Sequence, residues 1–454
     1  MAAKPTTEEI FRTMTVPQAV KTMAVPAVVS QLIVLVYNLA DTYFIGQTND
    51  PNMVAGVSLV LPVFNVTLAL GGLFGAGGGA LLPKLLATEQ RREASRAAAY
   101  CIRLGAILAL AFSALLLAFM GPILRTLGAG ENTFAHARIY LIMVLVIGGV
   151  PTITANVLSN LLRSLGLSRE AGVGVALGGV LNLALDPLFM FVLLPRGNEV
   201  LGVGIATLLS NVIACGYCTA VFFRRQREIR PTIFDASPTA ESRRAIYVVG
   251  IPGTVGTLLF DVDYMVLDRL MSGYGDTALA AIGIVLKAER LPQQIGIGLC
   301  QGMVPLVAYS YALRDHDRIR QIIAGTLKAG LAVAGVSVAL YELFTRQIIR
   351  FFIRDAATVS IGVGLLRIRS VAAVLMFFCF FCVFFYQGLG DGRRSLLLAV
   401  VRWAVLNIPM LFLLNRLLGM YGLAWAQVTG DVLTIVISYV ILIRDLRRMR
   451  SGEG

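Results

Sequence analysis

The sequence predicts an all-α integral membrane protein, with twelve transmembrane helices in two six-helix bundles related by pseudo-twofold symmetry along the membrane normal. Three observations carry this. Of 454 residues, 57% are hydrophobic and only 14% charged, with a mean hydropathy of +0.78, whereas a soluble domain is about one quarter charged. Twelve segments are long enough to cross the hydrocarbon core, which takes about twenty apolar residues. The two halves repeat each other at an offset of about 225 residues, as expected of halves lying the same way up.

The spans are expected at 20–45, 53–82, 99–124, 134–162, 170–194, 200–223, 245–270, 277–309, 322–349, 357–387, 395–418 and 420–443. The head before them, MAAKPTTEEIFRTMTVPQ, is polar and mixed in charge, unlike a cleavable leader. Several spans exceed the minimum, which implies tilt or projection beyond the lipid. Only the LGMYG turn separates the last two. Basic residues test the count. With both termini cytoplasmic, 24 of the 39 Lys and Arg fall in inner segments and seven in outer ones, the bias that orients a multi-pass protein. The net charge of +13 then reflects orientation and attraction to anionic membrane lipid. No nucleic-acid partner is expected.

The longest polar connection, RRQREIRPTIFDASPTAESRR (224–244), falls near the midpoint and reads as a cytoplasmic linker. It separates an N-terminal lobe, 1–223, from a C-terminal lobe, 245–454. NLLRSLGLSR (160–169) matches FFYQGLGDGR (384–393), LNLAL (181–185) matches LNIPM (406–410), and Gly77 and Gly302 stand 225 apart. Two like lobes enclose a cleft that can open to either side in turn.

Asp41 lies about fifteen residues into its apolar run, in YNLADTYFIG (37–46). A carboxylate there costs about 2.5–3.5 kcal/mol by insertion scales. Asp186 lies midway along the fifth span in NLALDP, with Asn182 one turn earlier on the same face. Pro187 is expected to kink that helix. Tyr37 and Asn38 sit one turn from Asp41. Two carboxylates in one low-dielectric cavity cannot both ionise cheaply, so Asp41, Asn182 and Asp186 read as an ion- or proton-coupling site able to hold H+ or Na+. The plainer reading has both acids bonding to neighbouring helices. Thr152, Asn156 and Asn160 form a stripe on the fourth span that either lines a path or bonds helices together.

In the second lobe, Asp261, Asp263 and Asp268 lie on the seventh span and Lys287, Glu289 and Arg290 on the eighth. Bare charges at depth are costly, so ion pairs between these two helices are expected. The network either locks the lobe or offers a second proton-linked site. Asp431 stands as an isolated acid. Phe64, Phe74, Met143, Phe377, Phe378 and Phe381 are candidates for an apolar drug surface. GAGGG (75–79) lacks a following GK[ST] and is no phosphate loop. Cys215/Cys218 and Cys379/Cys382 read as buried thiols rather than metal ligands. No cofactor, structural metal or catalytic residue is expected, although two intramembrane aspartates can also serve an enzyme.

These features together, the DTYFIG run at 41–46, LRSLG at 162–166 and GVGIA at 202–206 above all, resemble the multidrug and toxic compound extrusion (MATE) family over nearly the whole chain. The resemblance implies a V-shaped carrier of the inner (cytoplasmic) membrane that expels organic, amphipathic cations by alternating access in exchange for protons or sodium. In one branch an Asp on the first helix faces an NxxxD pair on the fifth, which maps to Asp41, Asn182 and Asp186. Another branch uses acids in the seventh and tenth helices. LMFFCFFCVFFYQ (375–387) has none, and KAER (287–290) fits neither pattern. A monomeric antiporter is therefore expected. The alternative, a lipid-linked precursor flippase, requires a strongly basic central cleft.

Overall fold

The structure, a computed structural model, describes residues 6–48, 50–224, 229, 231–232 and 235–451. Among these, eleven single helices are long and apolar enough to cross a bilayer. They are span 1 (Val16–Gly46), span 2 (Pro51–Ala87), span 3 (Arg91–Ala118), span 5 (Ser168–Leu193), span 6 (Glu199–Arg224) and span 7 (Ala240–Ser272). Span 8 (Asp276–Ala312), span 9 (His316–Phe352), span 10 (Ala356–Leu389), span 11 (Gly392–Leu418) and span 12 (Met420–Asp445) follow. The pair Glu131–Ile147 and Gly149–Ser164, bent by 47°, completes the twelve as span 4.

Two spans differ from expectation. Span 4 breaks at Gly148, three residues before Pro151, whose ring obstructs the carbonyl four residues back. Span 3 stops at Ala118, and a separate short helix, Met120–Thr126, replaces its expected end. Pro187 does not break span 5; the helix instead widens to π geometry over Leu188–Leu193, which accommodates the missing N–H. Span 11 widens likewise over Val401–Asn407. The expected linker falls partly outside the described residues, at 225–228, 230 and 233–234, as do Lys4, Arg225, Arg227 and Arg230 of the inner basic set. Its end is tied down where the Thr239 N–H and hydroxyl donate to Glu93 Oε1 at 2.7 and 2.8 Å.

The repeated Leu-Gly pairs have a common structural cause. Gly166 (φ +78°) and Gly390 (φ +75°) follow spans 4 and 10 in the left-handed region, where a helix ends cheaply only on a residue without Cβ. The chain packs as two compact units. Unit 1 comprises 1–14 and 29–254, and unit 2 comprises 15–28 and 255–454. Span 1 therefore contributes its first part to unit 2, and span 7 its first part to unit 1.

Glycines place these borrowed segments. Within unit 1, a Cβ on Gly77 would lie 2.3 Å from the Ile246 carbonyl oxygen, and one on Gly250 2.0 Å from that of Leu73. Within unit 2, a Cβ on Gly302 would lie 2.6 Å from Ala24 Cα. Backbone-to-backbone contact of this kind is how helices associate in lipid without a hydrophobic driving force. Gly250→Ala is expected to lower stability by about 1–3 kcal/mol, the cost of overpacking, read as a lower melting midpoint in detergent. Gly216→Ala, with nothing within 4 Å, is the control that should leave it unchanged.

Of the six free cysteines, Cys101, Cys218, Cys300, Cys379 and Cys382 are buried and Cys215 is half-buried.

Candidate functional site

Unit 1 gathers Asp41, Asn182 and Asp186. The Asp41 and Asp186 carboxyl groups meet at hydrogen-bonding range, and Asp186 is fully buried. Asn182 Nδ2 donates to Asp186 Oδ1 at 3.2 Å and to Thr207 Oγ1 of span 6 at 3.3 Å. A Cβ on Gly179 would meet Ile33 and the Tyr37 ring at 2.8 and 2.9 Å, so this glycine lets spans 1 and 5 approach closely enough to join the acids. Asp41 Oδ1, Asn182 Oδ1 and Asp186 Oδ2 are buried without a hydrogen-bond partner.

Two carboxylates in contact repel unless a proton or a cation lies between them. Oxygen-only donors suit hard cations, and among the described residues no group of three or more His, Cys, Asp and Glu gathers for a softer metal. The three residues can thus hold a proton or an alkali cation, with Asn182 fixing the orientation of Asp186. Tyr37 and Tyr140 of span 4 lie within electrostatic reach of Asp41. Asn38 is half-buried and has partners of its own. Tyr140 and Thr207 escape sequence reading because a lone Tyr or Thr in an apolar span carries no spacing signal.

Within the Thr152–Asn156–Asn160 stripe, Thr152 and Asn156 bond to neighbouring helices, Asn156 Nδ2 donating to the Leu68 carbonyl of span 2 at 3.5 Å. Asn160 Nδ2 donates to the Asn156 carbonyl and Oδ1 at 2.9 Å each. Asn211 Nδ2 of span 6 donates to Thr152 Oγ1 at 2.9 Å. Cβ atoms on Gly71 and Gly75 of span 2 would strike Asn156 and Asn160 at 3.1 and 2.9 Å.

Unit 2 departs from the expected pairing of spans 7 and 8. Buried Glu289 and Asp431 find bases on spans 10 and 11, and buried Asp263 an amide on span 11. Glu289 is held bidentately by Arg369, at 2.7 and 2.8 Å. Asp431, far from isolated, is held by Arg402 at 2.8 and 3.3 Å and by Gln427 Nε2 at 2.9 Å. Asp263 accepts from Asn407 Nδ2 at both oxygens, 2.8 Å each. Lys287, Arg290 and Asp268 lie on exposed faces, while Asp261 is half-buried and has a partner of its own. Desolvation explains the choice: an exposed base does not compensate a buried acid, whereas the planar fork of a buried arginine does. A small cavity of about 20 Å³ lies beside the Glu289–Arg369 pair, with Gln293, Tyr341, Met376 and Phe380 on its walls. Of the aromatic candidates, Phe74, Phe377 and Phe381 are buried, and Phe377 also lines this cavity.

The family model MatE matches residues 26–188 and again 252–413, once in each half. The chain is 29% identical over 432 residues to the multidrug export protein MepA of Staphylococcus saprophyticus subsp. saprophyticus, covering 95% of this chain and 94% of that one. It is 27% identical over 445 residues to MepA of Staphylococcus aureus, covering 98% and 97%. Its fold matches a solved structure described as the outward-facing conformation of a multidrug resistance MATE family transporter, with a TM-score of 0.92 at 22% identity over 99% of this chain and 100% of that one. A crystal structure of MATE in complex with MaD5 matches with a TM-score of 0.91 at 22% identity over the same shares.

Proposed function

The chain belongs to the MatE family, and on that premise we propose that it is a secondary active antiporter that exports organic, amphipathic cations. The MepA relatives, named as multidrug exporters over almost their whole length, support drug efflux. The coupling reading rests on one observation: a fully buried carboxyl group, Asp186, within hydrogen-bonding range of a half-buried one, Asp41, with three unpartnered oxygens and no basic side chain bonded to either acid among the described residues. Such a cluster changes its affinity for a positive ion whenever its access to water changes. An inward-moving proton or sodium ion that neutralises the pair would favour one opening, and its release would favour the other. Drug and ion then compete for the two states, which is what exchange requires.

The test uses proteoliposomes loaded with a fluorescent organic cation, under an imposed proton gradient or an imposed sodium gradient applied separately. Efflux driven by one gradient and abolished by its collapse is expected. Absence of gradient-driven flux across a broad panel of cations would overturn the proposal. The driving gradient names the coupling ion.

A further inference from the structure

Asn182 of span 5 has a counterpart 225 residues on, Asn407 of span 11. Both are buried, at 3% and 2% exposure. Both donate through Nδ2 to a buried aspartate, Asp186 and Asp263 respectively, and both leave Oδ1 without a partner. Each also reaches the following span, Asn182 to Thr207 and Asn407 to Gln427, at 3.3 Å in both cases. Each unit therefore builds a cage around an amide and two carboxyl groups: Asp41 and Asp186 in unit 1, Asp263 and Asp431 in unit 2.

The cages differ in charge. Among the described residues, no basic side chain is bonded to Asp41 or Asp186. In unit 2, Arg402 is 1% exposed, grips Asp431, and acts electrostatically on Asp263 as well. The repeat shows the exchange directly: Arg402 stands 225 residues after Leu177, and Leu411 stands 225 after Asp186. One cage has a second acid on its asparagine helix; the other has a fixed cation.

The widened turn makes that substitution possible. Residues five apart in an ordinary α-helix point about 140° away from each other. Over Val401–Asn407 the backbone is π-helical, and hydrogen bonding from i to i+5 brings residues five apart nearly into line. Arg402 and Asn407 thus share one face. The guanidinium carbon also lies over the Trp403 ring, 4.1 Å from its centroid, and over Phe380 at 4.7 Å, contacts that favour a cation. The remaining titratable neighbours are Arg369, Tyr264 and Cys379.

We propose that Arg402 is a built-in counter-cation that takes, in unit 2, the place a mobile proton or sodium ion takes in unit 1, so that ion exchange runs through unit 1 alone. This rests on the antiporter reading above. It assigns Arg402 a role in setting how many ions accompany each drug molecule, and it predicts a gain of ion binding when the arginine is removed.

The experiment counts ions on the purified full chain in lipid nanodiscs, with labelled sodium binding for Na+ and a pH-indicator dye for H+. Wild type and Arg402→Lys should bind one ion, lost in Asp186→Asn. Arg402→Gln should bind one more, and the extra ion should survive Asp186→Asn but vanish in Arg402→Gln/Asp431→Asn. Should Arg402→Gln be too unstable to purify in plain buffer, sodium or mild acid should raise its melting temperature selectively. An unchanged ion count in a folded Arg402→Gln, or no rescue by either ion, overturns the proposal. So does an ion that wild type retains at unit 2 after Asp186→Asn. Failure of the antiporter reading looks different: wild type would bind no ion at all. Single-tryptophan protein (Trp425→Phe) adds a local readout, because Trp403 packs on the guanidinium and should respond to added ion only when Arg402 is Gln.

Discussion

Asp186→Asn is expected to reduce gradient-driven drug efflux by about 100-fold, the upper end of what a coupling free energy of about 3 kcal/mol can carry. Asn retains the shape and the acceptor that Asn182 Nδ2 bonds at 3.2 Å, but it cannot take up or give back a positive ion. Asp41→Asn should behave alike, since the two acids act as one cluster. Neither variant should unfold the protein. Removing one of two neighbouring, mutually repelling acids relieves repulsion, so the melting temperature should hold or rise. Downhill drug movement should persist while the response to an imposed ion gradient disappears. Counterflow and gradient-driven flux on the same vesicles separate the two, and an undiminished response to the gradient would remove these acids from the mechanism.

The second large effect concerns stability. Breaking the Glu289–Arg369 pair from one side, by Arg369→Met or Glu289→Met, is expected to cost about 3–5 kcal/mol, because each leaves an uncompensated buried charge. The two side chains are 1% and 7% exposed, so water cannot replace the lost partner. Removing both charges together, in Glu289→Met/Arg369→Met, should restore most of that stability, as apolar replacements of buried ion pairs do. A thermal-melt double-mutant cycle measures the coupling. If the pair only locks unit 2, the double variant should also transport at close to the wild-type rate. Loss of transport from a well-folded double variant would move the pair into the drug or ion path, beside the cavity it borders.

Much of the fold was legible because a bilayer leaves few options: long apolar runs must be helices. What escaped was local. The bend in span 4 follows from Pro151 acting on the Ile147 carbonyl, next to Gly148, a weakness that hydropathy averages away. Asp41, Asn182 and Asp186 could be grouped in advance because a carboxylate in an apolar run stands out and a four-residue spacing fixes a shared face. Unit 2 resisted the same logic. Lys287 and Arg290 attracted attention by adjacency to Glu289, yet they face outward, and the bases that matter, Arg369 and Arg402, lie on spans 10 and 11. Pairing between helices distant in sequence leaves no local signature. Nor does a π turn, which is why Arg402 and Asn407, five apart, gave no hint of sharing a face.

The distribution of thiols has a practical outcome for spectroscopy. With five of six cysteines sealed inside the helix packing and only Cys215 partly accessible, an alkylating reagent should modify one native position at most. Cys215→Ala would then serve as a near-silent background, on which a single introduced cysteine carries a spin label or fluorophore without stripping the other five from the core.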